Sequence, residues 1–165
     1  MEVLNIILQW ASTVIEKIRQ ISRELASPNM HTIGLLESIH SLIEDLITVY
    51  PIKIEFHKKN ITEKTLTEKA QLNIFRIVQE QLNNILKHSK ATYALIELFV
   101  HRKRLHLKIK DNGVGHDSLI PTKGVGIRNI ESRVEFYHGA TEVITTIGEG
   151  YELNIAIPYP LIEGV

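Results

Sequence analysis

Between Lys108 and Gly139 the chain reads KIKDNGVGHDSLIPTKGVGIRNIESRVEFYHG: the end of a strand, a glycine-rich loop, then a helix. Leu105, Leu107 and Ile109 alternate with polar residues, the period of a strand with one buried face, and Asp111 stands at the strand's edge. Gly113 and Gly115 follow at once. After a short polar insert come Gly124 and Gly126, which open a helical pattern (Ile127, Ile130, Val134, Tyr137) that closes at Gly139. Glycine lets the backbone approach a ligand closely, and the first amides of a helix are unsatisfied donors with partial positive charge. Two glycine pairs flanking a loop, the second at a helix N-terminus, therefore form a candidate phosphate cradle. Asp111 is excluded as a phosphate ligand by its charge, but it can accept from an amino group such as the exocyclic amine of adenine. DNGVG also reads as a plain turn, because Asn-Gly is the strongest short hairpin signal.

The 165 residues suit one domain, or one domain with an appendage. Nineteen basic residues balance nineteen acidic ones, so no net field recruits nucleic acid or an anionic membrane. The run His101-Arg102-Lys103-Arg104 falls between two strand patterns and reads as a solvated hairpin turn. The absence of cysteine excludes a disulfide scaffold and thiol chemistry. No apolar run approaches the roughly 18 residues of a membrane span, and the N-terminus lacks a signal-peptide pattern, so a cytoplasmic location without direct membrane contact is expected. The histidines show no metal-ligating spacing.

Residues 2–26 read as one long helix. Leu4, Ala11, Ile18 and Leu25, with Ile7, Val14 and Ile21 between them, form an a/d seam that suits a partner helix; a single amphipathic surface helix is the other reading. Ser27-Pro28 ends it. A second helix is expected from Thr32 to Val49. From Pro51 the character changes: Ile52, Ile54 and Phe56 mark a strand, and residues 58–66 a polar connection. Thr65 and Glu68 have capping-box spacing ahead of a helix over Thr67–Ser89. On that helix Phe75, Val78, Leu82, Ile85 and Leu86 share one side, and Asn73, Arg76, Glu80, Asn84 and Lys87 the other, with His88 at the edge. A carboxylate and an amide oxygen one turn apart can coordinate Mg²⁺ beside a phosphate-neutralising lysine, though a solvated helix face gives the same pattern. Strands follow over Ala94–Val100, Leu105–Ile109, Glu142–Ile147 and Tyr151–Ile157. The order predicts an α+β fold: a two-layer α/β sandwich with a mixed, mostly antiparallel sheet, helices on one face, and the heptad-patterned helix in front.

The motifs together resemble the ATP-binding domain of bacterial sensor histidine kinases, within the superfamily that includes gyrase and MutL. QEQLNNILKHSKA resembles the N box of the kinases that partner nitrate-sensor-type response regulators, DNGVG the G1 box, GVGIRNIESR the G2 box, and GEGYELNIAIP the final box. The four stand in the family's order over residues 79–158. Residues 1–50 resemble, less specifically, the second helix of the family's dimerisation and phosphotransfer region with its connector, and 51–160 the catalytic domain. The first bundle helix, with the phosphoacceptor histidine, has no counterpart here. The resemblance thus implies a catalytic part of a protein histidine kinase that transfers the ATP γ-phosphoryl group to a histidine on another helix of the full-length protein. The expected partners are a response regulator and a second copy in the full-length homodimer.

The resemblance also implies roles for individual residues. Asn84 would ligate Mg²⁺, with Glu80 supporting the metal or its water. Lys87 would contact phosphate and His88 line the nucleotide. Asp111 would accept from the adenine amine, with Gly113 and Gly115 admitting base and ribose. Gly124 and Gly126 would hinge a short lid over 116–123, and the amides around Val125, Gly126 and Ile127 would face the phosphates. Tyr151 stands where the family has a threonine bonded near the adenine–Asp pair, so base recognition is expected to differ there. Two alternatives share the fold: a nucleotide-binding regulatory module without phosphotransfer, and an anti-sigma-factor kinase, which has no need of the heptad seam.

Overall fold

Apolar alternation decides which face of each strand is buried. Ala94, Ile96 and Leu98 on one strand, Leu105, Leu107 and Ile109 on the next, and Leu153, Ile155 and Ile157 on the last are all buried. Lys108, Lys110 and Glu152 occupy the opposite face, where Lys108 Nζ lies 3.0 Å from a Glu152 carboxylate oxygen. The computed structural model describes residues 10, 32–116 and 124–161. The expected heptad helix over 2–26 and most of the expected lid therefore lie outside the described residues.

The described elements run α1 (Leu35–Val49), β1 (Lys53–Lys59), α2 (Glu68–Asn84), β2 (Tyr93–His101), β3 (Arg104–Asp111), α3 (Val125–Glu135), β4 (Ala140–Thr146) and β5 (Gly150–Pro158). The sheet order is β1-β2-β3-β5-β4, with β1 parallel to β2 and the other pairs antiparallel. This is the expected two-layer α+β sandwich. Arg102 and Lys103 take positive φ in the two-residue turn joining β2 to β3, so the basic run is a hairpin tip.

One core joins the layers. Leu35, Ile39 and Leu46 of α1, Val78 and Leu82 of α2, and Ile130 and Val134 of α3 are buried in the same cluster as the strands' inward residues. Burial of each such Leu or Ile contributes on the order of 1.5–3 kcal/mol. The chain position 50/51, where the sequence pattern changes, is thus no break in the packing. The start of α1 is held by other elements: Leu35 N donates to Gln71 Oε1 at 3.2 Å and Leu36 N to Glu63 Oε1 at 2.6 Å.

Three local expectations are corrected. The second helix begins at Leu35 rather than Thr32. The polar connection is shorter than 58–66, because β1 runs to Lys59 and a 3₁₀ turn occupies Glu63–Thr65. The cap of α2 is Thr67, whose hydroxyl accepts from Ala70 N at 3.1 Å, and not Thr65. Thr65 is already engaged, donating to Thr62 O at 2.5 Å and meeting the Tyr159 hydroxyl. Thr67→Ala is expected to lower stability by about 1 kcal/mol, read as a lower denaturant midpoint at unchanged m-value.

Candidate nucleotide site

Period-two alternation carries Asp111 onto the buried face of β3 at the strand's end, in register with Ala94 and Tyr151. There it is 2% exposed. The loop after it is fixed by its own polar groups. Asn112 Oδ1 accepts from Thr92 N and Tyr93 N at 3.0 and 2.9 Å, and Val114 N donates to Ser89 O at 2.8 Å. Gly113 N donates to Asp111 Oδ1 at 2.8 Å. A Cβ at Gly113 would lie 2.3 Å from Ser89 O, and one at Gly115 would lie 2.1 Å from Thr146 O. These glycines let the loop seat against α2's end and the β4–β5 turn. DNGVG is a shaped loop, not the turn of a hairpin.

Beside Asp111 lies a cavity of about 410 Å³. Helix α2 contributes Gln81 and Asn84, and the segment that continues it contributes Ile85 and His88, an i, i+3, i+4, i+7 spacing. The last residues of that expected helix, Ile85–Ser89, form a π turn that ends with Lys90 at φ 54. Ser89, buried there, donates its hydroxyl to Ile85 O at 2.9 Å and accepts from Ala91 N at 3.1 Å. Gly124, Val125, Gly126 and Ile127 bring the N-terminus of α3 to the cavity, and Gly115, His116 and Tyr151 complete its lining.

Glu80, Lys87 and Gly113 do not line this cavity. Lys87 is exposed, and Gly113 is occupied by the contacts just described. Glu80 lies on the neighbouring side of α3's first turn, lining a second cavity of about 350 Å³ with Arg76 and Arg133. A Cβ at Gly126 would lie 2.2 Å from Glu80 Oε1 and 3.3 Å from Asn84 Oδ1, so both oxygens converge on that turn. The polar face of α2 is covered rather than solvated: Arg133 Nη1 donates to Asn73 Oδ1 at 2.8 Å and Asn73 Nδ2 to the Tyr137 hydroxyl at 3.1 Å. Among the described residues nothing lies within 4 Å of a Cβ at Gly124, whose φ is −57, so neither those neighbours nor its backbone conformation demands glycine there.

The sequence reading missed Gln81, Ile85, Ser89 and His116. The helical recurrence through Asn84 and His88 carries the signal for Gln81 and Ile85. His116 is placed by two contacts, its N and Nδ1 lying 3.1 and 3.2 Å from Thr145 Oγ1.

Burial pushes the Asp111 carboxyl above the ordinary range, against the opposing pull of the Gly113 N–H and the Ser89 hydroxyl. Burial, with the charges of Glu131 and Asp111, pushes the Tyr151 phenol up to about 12, so it is a neutral donor near pH 7. Its ring sits 5.7 Å from that of His116. Among the described residues no group of three or more His, Cys, Asp or Glu could hold a metal alone. The oxygens of Asn84 and Glu80 nevertheless fit Mg²⁺, which takes one or two protein oxygens and completes its shell with water and phosphate. The arrangement offers a carboxylate acceptor and a helix N-terminus on one cavity, with metal-compatible oxygens beside that terminus.

No family model matches the chain. It is 32% identical over 149 residues to the sensor histidine kinase ComP of Bacillus subtilis, covering 88% of this chain and 19% of that protein. It is 26% identical over 156 residues to LiaS of the same bacterium, also a sensor histidine kinase, covering 94% of this chain and 42% of that one. The chain thus spans less than half the length of either relative. In fold it is similar to the Acinetobacter baumannii histidine kinase AdeS, with a TM-score of 0.60 at 17% identity over 92% of this chain and 79% of that chain. It is likewise similar to a blue-light activated histidine kinase of Erythrobacter litoralis, with a TM-score of 0.58 at 24% identity over 74% of this chain and 40% of that chain.

Proposed function

We propose that the chain is the ATP-binding catalytic part of a sensor histidine kinase, a reading supported by its likeness to ComP and LiaS and by the fold it shares with AdeS, and that it binds Mg²⁺–ATP and donates the γ-phosphoryl group to a histidine. The observation that carries this reading is the single cavity lined by buried Asp111, Asn84 and the N-terminus of α3.

Asp111 accepts from the adenine amine, a contact that a carboxylate makes and a phosphate site does not. The open amides around Val125, Gly126 and Ile127 meet phosphate charge, which suits a transfer governed by positioning and neutralisation. Asn84 and Glu80 would hold the metal, which when bound supplies charge neutralisation at the phosphates. His88, which lines the cavity, would line the nucleotide, and the exposed Lys87 would contact phosphate. The acceptor histidine comes from a helix outside residues 1–165, in a full-length protein that dimerises and passes the phosphoryl group to a response regulator of the nitrate-sensor-partner type. The division into a dimerisation segment, 1–50, and a catalytic unit, 51–160, belongs to this proposal as a division of roles.

Tyr151 favours a second reading, a regulatory module that binds nucleotide without transfer, because a bulky phenol replaces the usual small hydroxyl beside Asp111. One experiment separates the two. The chain is incubated with labelled ATP, Mg²⁺ and a separate protein bearing the acceptor-histidine helix, and label on that protein is followed. Transfer by the wild type, slowed roughly 100-fold in Asn84→Ala, is the expected result. Nucleotide binding without transfer would favour the regulatory module.

A further inference from the structure

The second cavity, of about 350 Å³, takes a guanidinium from each of two helices, Arg76 from α2 and Arg133 from α3. Both side chains are half-buried, and arginine is effectively always charged. Arg76 Nη1 donates to Gln79 Oε1 at 2.6 Å, and Arg133 Nη1 donates to Asn73 Oδ1 at 2.8 Å, one of the five N–H groups a guanidinium carries. Against these two charges the lining holds one carboxylate, Glu80, which forms no ion pair among the described residues. Its Oε1 lies against Gly126, in the first turn of α3. The cavity therefore favours an anion.

Its place along α2 decides which one. Val114 N donates to Ser89 O at 2.8 Å, tying the loop after Asp111 to the end of the segment that continues α2. From that end Asn84, Glu80 and Arg76 follow at four-residue steps along one side of the helix, each step roughly 6 Å. Asn84 lines the nucleotide cavity and Arg76 the second one, and the oxygens of Asn84 and Glu80 converge on Gly126 between them. A nucleotide held by its base at Asp111 and by its metal at Asn84 and Glu80 runs its phosphate chain toward Arg76.

We propose that Arg76 and Arg133 bind the terminal phosphoryl group of a bound nucleoside triphosphate, which makes the second cavity the γ-phosphate subsite. This rests on the nucleotide reading above. A guanidinium fork pairs with two phosphoryl oxygens at once, and forks from two helices meet the group from two sides. A nucleoside diphosphate lacks that group and stops short of the arginines.

The test titrates Mg–ADP and the Mg²⁺ complex of β,γ-imido-ATP into the full chain, as wild type, Arg76→Gln, Arg133→Gln and Arg133→Lys. The wild type is expected to bind the triphosphate analogue about tenfold or more tightly than ADP. Arg76→Gln and Arg133→Gln should each weaken the analogue about fivefold or more and change ADP by less than about twofold. Arg133→Lys keeps a charge and a donor for Asn73 but loses the fork, so it should fall between; it also serves if Arg133→Gln does not fold. Equal wild-type affinity for the two nucleotides would overturn the assignment, as would variants that bind the analogue like the wild type. Equal weakening of both nucleotides would also overturn it, leaving the arginines only the docking of α3 on α2. Any of these results with normal ADP binding by the wild type defeats the γ-phosphate subsite alone. No binding of either nucleotide by the folded wild type defeats the nucleotide reading with it.

Discussion

Asp111→Asn is expected to weaken binding of a non-hydrolysable ATP analogue roughly 10- to 100-fold while the fold stays intact. The amide can still accept from Gly113 N, so the loop keeps the bond that shapes it. What disappears is the charge-assisted acceptor facing the cavity. Folding stability should hold or rise. A carboxyl whose folded pKa is raised binds more protons folded than unfolded, so its stabilising contribution is complete below its unfolded value of about 3.9 and is lost as pH rises through the folded value. At pH 7 the charged Asp111 is therefore a burden that asparagine lacks. Nucleotide affinity of the wild type runs the other way with pH: it should decline on acidification through the raised Asp111 pKa, earlier than an ordinary carboxylate would dictate. Calorimetric titration across pH, with melting curves of both proteins, checks each part. Lower melting together with weaker binding would mean that the variant reports unfolding rather than recognition.

Gly150→Ala should give the largest loss of stability. Gly150 has φ +85, and a Cβ there would lie 2.1 Å from Asp111 O, a backbone atom that cannot swing aside. The conformational penalty and the overlap together predict about 3 kcal/mol, a melting-temperature decrease on the order of 10 °C. Because the overlap is with Asp111 itself, whatever folded protein remains should also bind nucleotide more weakly. Gly124→Ala is the matched control, with φ −57 and nothing among the described residues within 4 Å of the added Cβ, and should melt with the wild type. If both substitutions proved equally harmless in thermal melts, the close approach of β5 to the end of β3 would be wrong.

Asp111 and the glycine pairs could be read from sequence because their signals are local. Period two fixes the face of Asp111, and a glycine where one chain must lie against another is visible as a residue type. The mixed sheet followed from the order of elements for the same reason. The face of α2 was not decidable. Asn73, Arg76, Glu80 and Asn84 look alike on a solvated helix and on one covered by a neighbour, and only the docking of α3 and the turn after it, through Arg133 and Tyr137, distinguishes them. Thr65 lost the capping role to Thr67 through a contact with Tyr159, far along the chain. The π turn at Ile85–Ser89 escaped because 3.6-residue periodicity continues smoothly through those letters. Gln81 was hidden among the apolar positions beside it, where its meaning depends on a cavity that no helical wheel contains.

The most direct test of the central claim is titration of the folded full chain with a non-hydrolysable ATP analogue and Mg²⁺. The account predicts one nucleotide per chain, bound with a dissociation constant between about 1 μM and 1 mM, and tighter with Mg²⁺ than without it. A folded chain that takes up no nucleotide at millimolar concentration would contradict it.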